Sequence, residues 1–189
     1  MSDLKRIMLA GEGGQGVQSV AMILSEASYK AGKQVMYIPN FGVEQRGGVS
    51  VAFMQISSED PIGSPKFDDA DIIVALSDRA VRRVQDFVNP NTIYVYDSAI
   101  SDEARKDLPK EDEVAKLVEI SAHEIANTEL HVRVFNVIIM GAVLGLTHMV
   151  PEEDIKAALE KKFAKKFEAD PSLRDMNYTA LRKGMELVG

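Results

Sequence analysis

Gly11, Gly13 and Gly16 stand in the spacing G-x-G-x-x-G, inside the run Gly11-Glu12-Gly13-Gly14-Gln15-Gly16. They follow a short apolar run, Lys5-Arg6-Ile7-Met8-Leu9-Ala10, and open a segment with helical periodicity. A turn of this kind brings backbone N–H groups and a helix N-terminus close to an anion. A dinucleotide is the first ligand it suggests. The acidic residue that would hold the ribose hydroxyls, roughly twenty residues on, is missing, however. Tyr37-Ile38-Pro39-Asn40 stands at that place. A nucleotide-triphosphate loop fits less well, because Val17-Gln18 follows Gly16 where lysine and a hydroxyl residue are required. Three readings stay open: a tight turn that needs glycine for backbone reasons, a loop packed on a partner or its ligand, and a bound nucleotide.

Glu44-Gln45-Arg46-Gly47-Gly48 is the second distinctive stretch. Arg46 offers a planar five-donor fork suited to a carboxylate or phosphate, and the two glycines allow close approach. The competing reading is a surface loop with a local Glu44–Arg46 ion pair of little energetic worth. His123, His131 and His148 are far apart and lack acidic neighbours at metal-ligand spacing, which favours structural histidines. No Gly-x-Ser-x-Gly elbow is present, so a hydrolase triad lacks its best signal.

The elements that must position these groups read as follows. Lys5–Ala10 is a buried strand ending in the glycine turn, and Val17–Ala31 is a helix with Gly32 just past its end. Gln34–Ile38 is a strand that stops at Pro39-Asn40, and Val49–Ile56 is a third, apolar on both faces. Asp71–Leu76 is the clearest buried strand, with Ser77 or Asp78 as cap of the next helix. Thr92–Tyr96 and Lys116–Ile120 are further strands, separated by a polar surface segment from Ser101 to Glu113. Ser121 and Glu124 form a capping box. Val132–Leu146 is apolar nearly all round and predicts a buried helix, within which Gly141 and Gly145 suggest close packing on a neighbour. Ile155, Leu159, Phe163 and Phe167 recur every four residues, with Lys161, Lys162, Lys165 and Lys166 on other, solvated faces. Strands alternating with helices predict an α/β fold: a single three-layer domain over residues 1–189, with a mainly parallel sheet and a helical C-terminal part.

Composition narrows the function. The 189 residues carry 46% hydrophobic and 27% charged side chains and a net charge of −7. Nucleic acid is thus excluded as a main partner, since phosphate binding wants a basic footprint. The longest apolar stretch is broken by Arg133, Asn136, Thr147 and His148, so a buried helix is expected instead of a membrane span. Nothing at the N-terminus reads as a signal peptide, which places the protein in the cytoplasm. The chain has no cysteine, and therefore no disulfide, thiolate zinc site or cysteine-held iron–sulfur cluster.

The pairing of Gly11-Glu12-Gly13-Gly14-Gln15-Gly16-Val17 with Glu44-Gln45-Arg46-Gly47-Gly48 resembles the gamma subunit of 2-oxoacid:ferredoxin oxidoreductases. Asp71–Leu76, Phe135-Asn136-Val137, Gly141–Gly145 and then Asn177, Ala180 and Gly184 continue the resemblance in order over nearly the whole chain. It implies a complex that oxidatively decarboxylates a 2-oxoacid, 2-oxoglutarate or pyruvate, and passes the acyl group to coenzyme A. Thiamine diphosphate is then expected between alpha and beta subunits, and iron–sulfur clusters on beta or on a small delta subunit, with ferredoxin reached through the complex. This chain would be mainly architectural, with no catalytic residue, metal or cofactor of its own. Gly11, Gly13, Gly14, Gln15, Gly16 and Arg46 would form loops at the subunit interface or near coenzyme A. Alone, the chain is expected to pair as a homodimer through its orphaned interface. The alternatives are a free-standing nucleotide- or flavin-binding protein of doubly wound fold, and an indolepyruvate-type beta subunit of the same superfamily.

Overall fold

The computed structural model describes residues 3–41 and 48–189. Its centre is a six-stranded sheet in the order β2-β3-β1-β4-β5-β6. The strands are β1 (Lys5–Glu12), β2 (Gln34–Phe41), β3 (Val49–Ser57), β4 (Ile72–Ala75), β5 (Ile93–Asp97) and β6 (Lys116–Ile120). Strands β1, β4, β5 and β6 are mutually parallel, while β3 runs antiparallel to both its neighbours, β1 and β2. The sheet is thus mixed and mainly parallel.

Side-chain alternation explains why the strands are apolar without interruption. Ile7 and Leu9 of β1 enter one core and Met8 and Ala10 the other, all with no exposed surface. Ile72 and Val74 divide from Ile73 and Ala75 in the same way along β4. A strand covered on both faces has no polar side to show. One face carries α1 (Val17–Lys30), α4 (Ala122–Thr128), α5 (Phe135–Thr147), α6 (Glu152–Ala169) and α7 (Ser172–Glu186). The other carries the short α2 (Asp78–Arg83) and α3 (Asp102–Arg105). The α/β class, the three layers and the helical C-terminal part match the sequence reading.

Three local expectations change, and the largely exposed Ser101–Glu113 segment gains a short helix. Strand β2 runs on through Pro39 and Asn40, with Pro39 opposite Ala52. Proline is tolerated there because β2 is an edge strand and a ladder donor can be spared. The polar Ser101–Glu113 segment contains α3, whose first turn is capped by the Ser101 hydroxyl accepting the Ala104 N–H at 3.2 Å. The apolar run from Val132 starts as one 3₁₀ turn, Val132–Val134, before α5 begins at Phe135. Finally, the Ser121 side chain makes no cap bond to α4. Its φ of −98° and ψ of 42° lie outside the extended region that a capping hydroxyl needs.

The pair α5–α7 holds the C-terminal half against the sheet. Asn177, Ala180, Leu181 and Gly184 are the buried stripe of α7. A Cβ on Gly141 would overlap the Leu181 carbonyl, and one on Gly184 would overlap the Ile138 carbonyl. The two helices therefore meet backbone to backbone at reciprocal glycines, as the spacing of Gly141 and Gly145 suggested. Among the described residues, no helix is long and apolar enough to cross a membrane.

Candidate functional site

The glycine turn sits at the C-terminal end of β1. Gly11 is still in the strand, opposite Ser50 of β3. Gly13 and Gly14 form an exposed tip, and Gly16 caps α1 in the left-handed region at φ 74°. Gln15 fastens this turn. Its Oε1 accepts the Glu12 N–H at 2.6 Å, and its Nε2 donates to the Leu76 carbonyl at 2.8 Å, at the end of β4. The Gln15 side chain is therefore committed to holding the loop. Glycine is required at two positions by space: a Cβ on Gly11 would lie 2.6 Å from Gln15 Oε1, and one on Gly16 would lie 2.8 Å from Asn136 Cβ. Gly13 and Gly14 have nothing within 4 Å of an added Cβ. Those two present open backbone beyond the end of the strand.

Val49 pairs with Glu12 across β3–β1, so the flanks of the two glycine motifs lie side by side. Arg46, with Glu44, Gln45 and Gly47, lies outside the described residues. The neighbouring strand ends are braced by a cluster that sequence reasoning did not single out. Tyr37 Oη donates to Gln18 Oε1 at 2.5 Å, and Gln18 Nε2 donates to Ser50 Oγ at 2.7 Å and to the Val51 carbonyl at 3.0 Å. The sequence signal was slight: an amide two residues past the last glycine, at a position where an amphipathic helix turns toward the sheet.

Helix α1, after β1, covers one face of the sheet and α2, after β4, covers the other, while β1 and β4 are neighbours. That reversal makes a crevice at the strands' C-terminal ends, the usual ligand position in open α/β sheets. Here it is a cleft of about 440 Å³ whose lining includes Glu12, Gln15, Arg79, Arg82, Asp97 and His123. Its polar groups are largely engaged with one another or with backbone. The Ser77 hydroxyl accepts the Ala80 N–H at 3.2 Å. Asp78 accepts from the Ser101 hydroxyl at 2.6 Å and from the Ser101 N–H at 2.8 Å. These two bonds hold its carboxyl below the usual carboxylate range. Arg82 meets Asp107 at 2.8 Å, which raises the pKa of the guanidinium. No cluster of three or more metal-ligating side chains forms among the described residues.

Asp97 is the buried charge of this cleft, 1% exposed. One carboxylate oxygen accepts the Ala99 N–H at 2.9 Å and the other the His123 N–H at 3.0 Å. It thereby caps α4 from the end of β5, the role the sequence assigned to Ser121. Burial raises its pKa above the ordinary 3.8, against the pull of the backbone donors. A carboxyl whose folded pKa is raised favours the fold most below its unfolded value, and that contribution is lost as pH climbs through the folded one. The stability of the wild type relative to Asp97→Asn is therefore expected to decline as pH rises from about 3.5 to about 7. Urea titrations of both proteins at the two pH values check this; a constant difference would mean that proton binding at Asp97 is not coupled to folding.

The dinucleotide reading loses ground on topology as well as sequence. Strand β3 lies between β1 and β2, so the end of β2 stands two strand spacings, about 10 Å, from the glycine turn. A ribose-binding carboxylate at that end would be displaced from where the adjacent-strand arrangement puts it.

The family described as pyruvate ferredoxin/flavodoxin oxidoreductase matches residues 6–187. The ketoisovalerate oxidoreductase subunit VorA of Methanothermobacter thermautotrophicus is 33% identical over 96% of this chain, which spans only 36% of that protein's length. The pyruvate synthase subunit PorC of Thermotoga maritima is 30% identical over 94% of this chain and 91% of its own. The solved 2-oxoglutarate:ferredoxin oxidoreductase from Magnetococcus marinus superposes with a TM-score of 0.85 at 27% identity, over 100% of this chain and 31% of that one.

Proposed function

From the premise that the chain belongs to the pyruvate ferredoxin/flavodoxin oxidoreductase family, as a gamma-type subunit, we propose that it is an architectural subunit of a cytoplasmic 2-oxoacid:ferredoxin oxidoreductase. The complex would decarboxylate a 2-oxoacid and transfer the acyl group to coenzyme A. We take 2-oxoglutarate as the substrate, with pyruvate as the second reading. Superposition over the entire chain on an enzyme that acts on 2-oxoglutarate supports the first.

The observation that carries the architectural role is the fate of the polar groups. Ser77, Asp78, Arg82 and Asp97 all serve local structure. Cofactor chemistry would come from elsewhere in the complex. An iron–sulfur cluster needs thiolates, and the chain has no cysteine. Thiamine diphosphate requires a divalent cation on its diphosphate, and the described residues offer no acidic cluster to hold one. Alpha and beta subunits, with or without a delta subunit, would supply these groups. The open Gly13–Gly14 tip and Arg46 would face a partner subunit or coenzyme A.

A native pull-down of this chain from its own cell extract tests the reading. The eluate is expected to contain larger subunits, iron, thiamine diphosphate and 2-oxoacid-dependent dye reduction, with the preferred 2-oxoacid naming the substrate. A chain that elutes alone and binds a nucleotide or flavin would overturn it. Arg46→Ala in the assembled complex separates the two loop roles, since one shows in coenzyme A dependence and the other in assembly.

A further inference from the structure

A second cleft lies between the Val132–Val134 turn and the helices α6 and α7. It encloses about 380 Å³. Val134, Phe163, Phe167, Leu173 and Met176 supply its walls, which makes it an apolar groove where the switch-point cleft is polar. Val132, next to the lining residue Arg133 in sequence, is 55% exposed. We propose that this groove is a docking site for an acidic segment of a partner subunit, one that inserts an aliphatic or aromatic side chain between carboxylates.

Charge complementarity identifies the occupant. Most nearby cations on α6 and α7 are already neutralised: Arg174 pairs with Glu160, Arg182 with Glu152 and Lys183 with Glu129. Arg133 and Lys166, which line the groove, form no ion pair with any described residue. Lys166 instead lies over the Phe163 ring, 5.5 Å from its centroid. One carboxylate lines the groove, Asp170, whose Oδ1 accepts the N–H and hydroxyl of Ser172 at 3.1 and 2.6 Å, so the two cations stay in excess there. In a chain of net charge −7, an apolar cleft flanked by two unpaired cations selects for an acidic visitor. Arg133 can grip a carboxylate with two parallel donors. The occupant is taken to be protein because two of the matched relatives continue well beyond the matched region, which makes up 36% of VorA and 31% of the Magnetococcus marinus chain.

The inference rests on the subunit reading above, and the experiment separates the two. The assembled complex is treated with a zero-length carbodiimide, which joins an amine to a carboxylate in direct contact, and the products are mapped by mass spectrometry. A bond between Lys166 and an aspartate or glutamate of another subunit is expected, and Lys166→Arg should abolish it while keeping the charge. In parallel, the double variant Arg133→Glu/Lys166→Glu should bind the partner subunits at least about tenfold more weakly, with a shallower salt dependence. Circular dichroism of the lone variant checks that it still folds. If the complex assembles and Lys166 couples to no other subunit, the groove proposal is overturned and the subunit reading stands. If the wild-type chain assembles with nothing, the subunit reading itself fails.

Discussion

Gly184→Ala is expected to cost the chain roughly 3 kcal/mol or more, at the upper end of what overpacking does in a close-packed interior. The added methyl would overlap the Ile138 carbonyl and stand 2.9 Å from the Ala142 nitrogen. Both obstacles are helix backbone, so no side-chain rotation relieves the clash and α7 must move off α5. Gly141→Ala presses on the Leu181 carbonyl from the other side and should behave alike. Gly145→Ala is the milder comparison, because its nearest obstacle is the Val188 methyl at 2.8 Å, which is able to shift, and the Met185 carbonyl of α7 stands farther off at 3.0 Å. For a chain of this size such a loss lowers the melting temperature by roughly 10 °C. Thermal unfolding of the three variants should rank Gly184 and Gly141 well ahead of Gly145. Equal melting temperatures throughout would show that α5 and α7 do not touch through their backbones.

The second large effect concerns the N-terminal glycines and separates the readings that the sequence left open. Gly16→Ala combines a left-handed φ of 74° with a contact at 2.8 Å to Asn136 Cβ. Together these should destabilise the chain by roughly 2–4 kcal/mol. Gly14→Ala keeps only the backbone strain of φ 96°, about 1–2 kcal/mol. Gly13→Ala meets nothing and should change stability by less than about 0.5 kcal/mol. Any effect of Gly13→Ala on the complex is therefore an effect on what the tip touches. We expect a loss of about tenfold in assembly or in coenzyme A-dependent turnover, equivalent to about 1.4 kcal/mol. A fully active complex carrying Gly13→Ala would mean that these glycines serve the turn alone.

Much of this architecture was legible because burial on two faces writes itself into composition. The apolar runs at Ile7–Ala10 and Ile72–Ala75 announced strands covered on both sides, and their side chains do divide between two cores. The spacing of Gly141 and Gly145 announced a close neighbour. It did not name α7, since helix pairing depends on how chain segments return to each other. The antiparallel β3 between β1 and β2 was equally invisible, because the same apolar residues serve either direction. Asp97 shows the limit most clearly. It reads locally as the polar end of a strand, and only the β5–β6 pairing brings it under α4 to take the cap that Ser121 leaves unmade. At the candidate site, the glycine turn and its place after β1 were correctly anticipated. The commitment of Gln15 to Leu76 was not, because it joins residues that only the sheet makes adjacent.

The reciprocal glycine contact also has a consequence for how the protein is made. Synthesis runs from the N-terminus, so the sheet and the almost wholly apolar α5 leave the ribosome before α7 does. Until Gly184 emerges, the surface of α5 that will receive it has no cover, and at translation speeds of about 5–20 residues per second that interval lasts seconds. A nascent chain in that state is an attractive client for chaperones and a hazard to its copies on the same message. Once α7 docks, the hazard closes, which ties solubility to the emergence of that helix more than to the strength of any single contact.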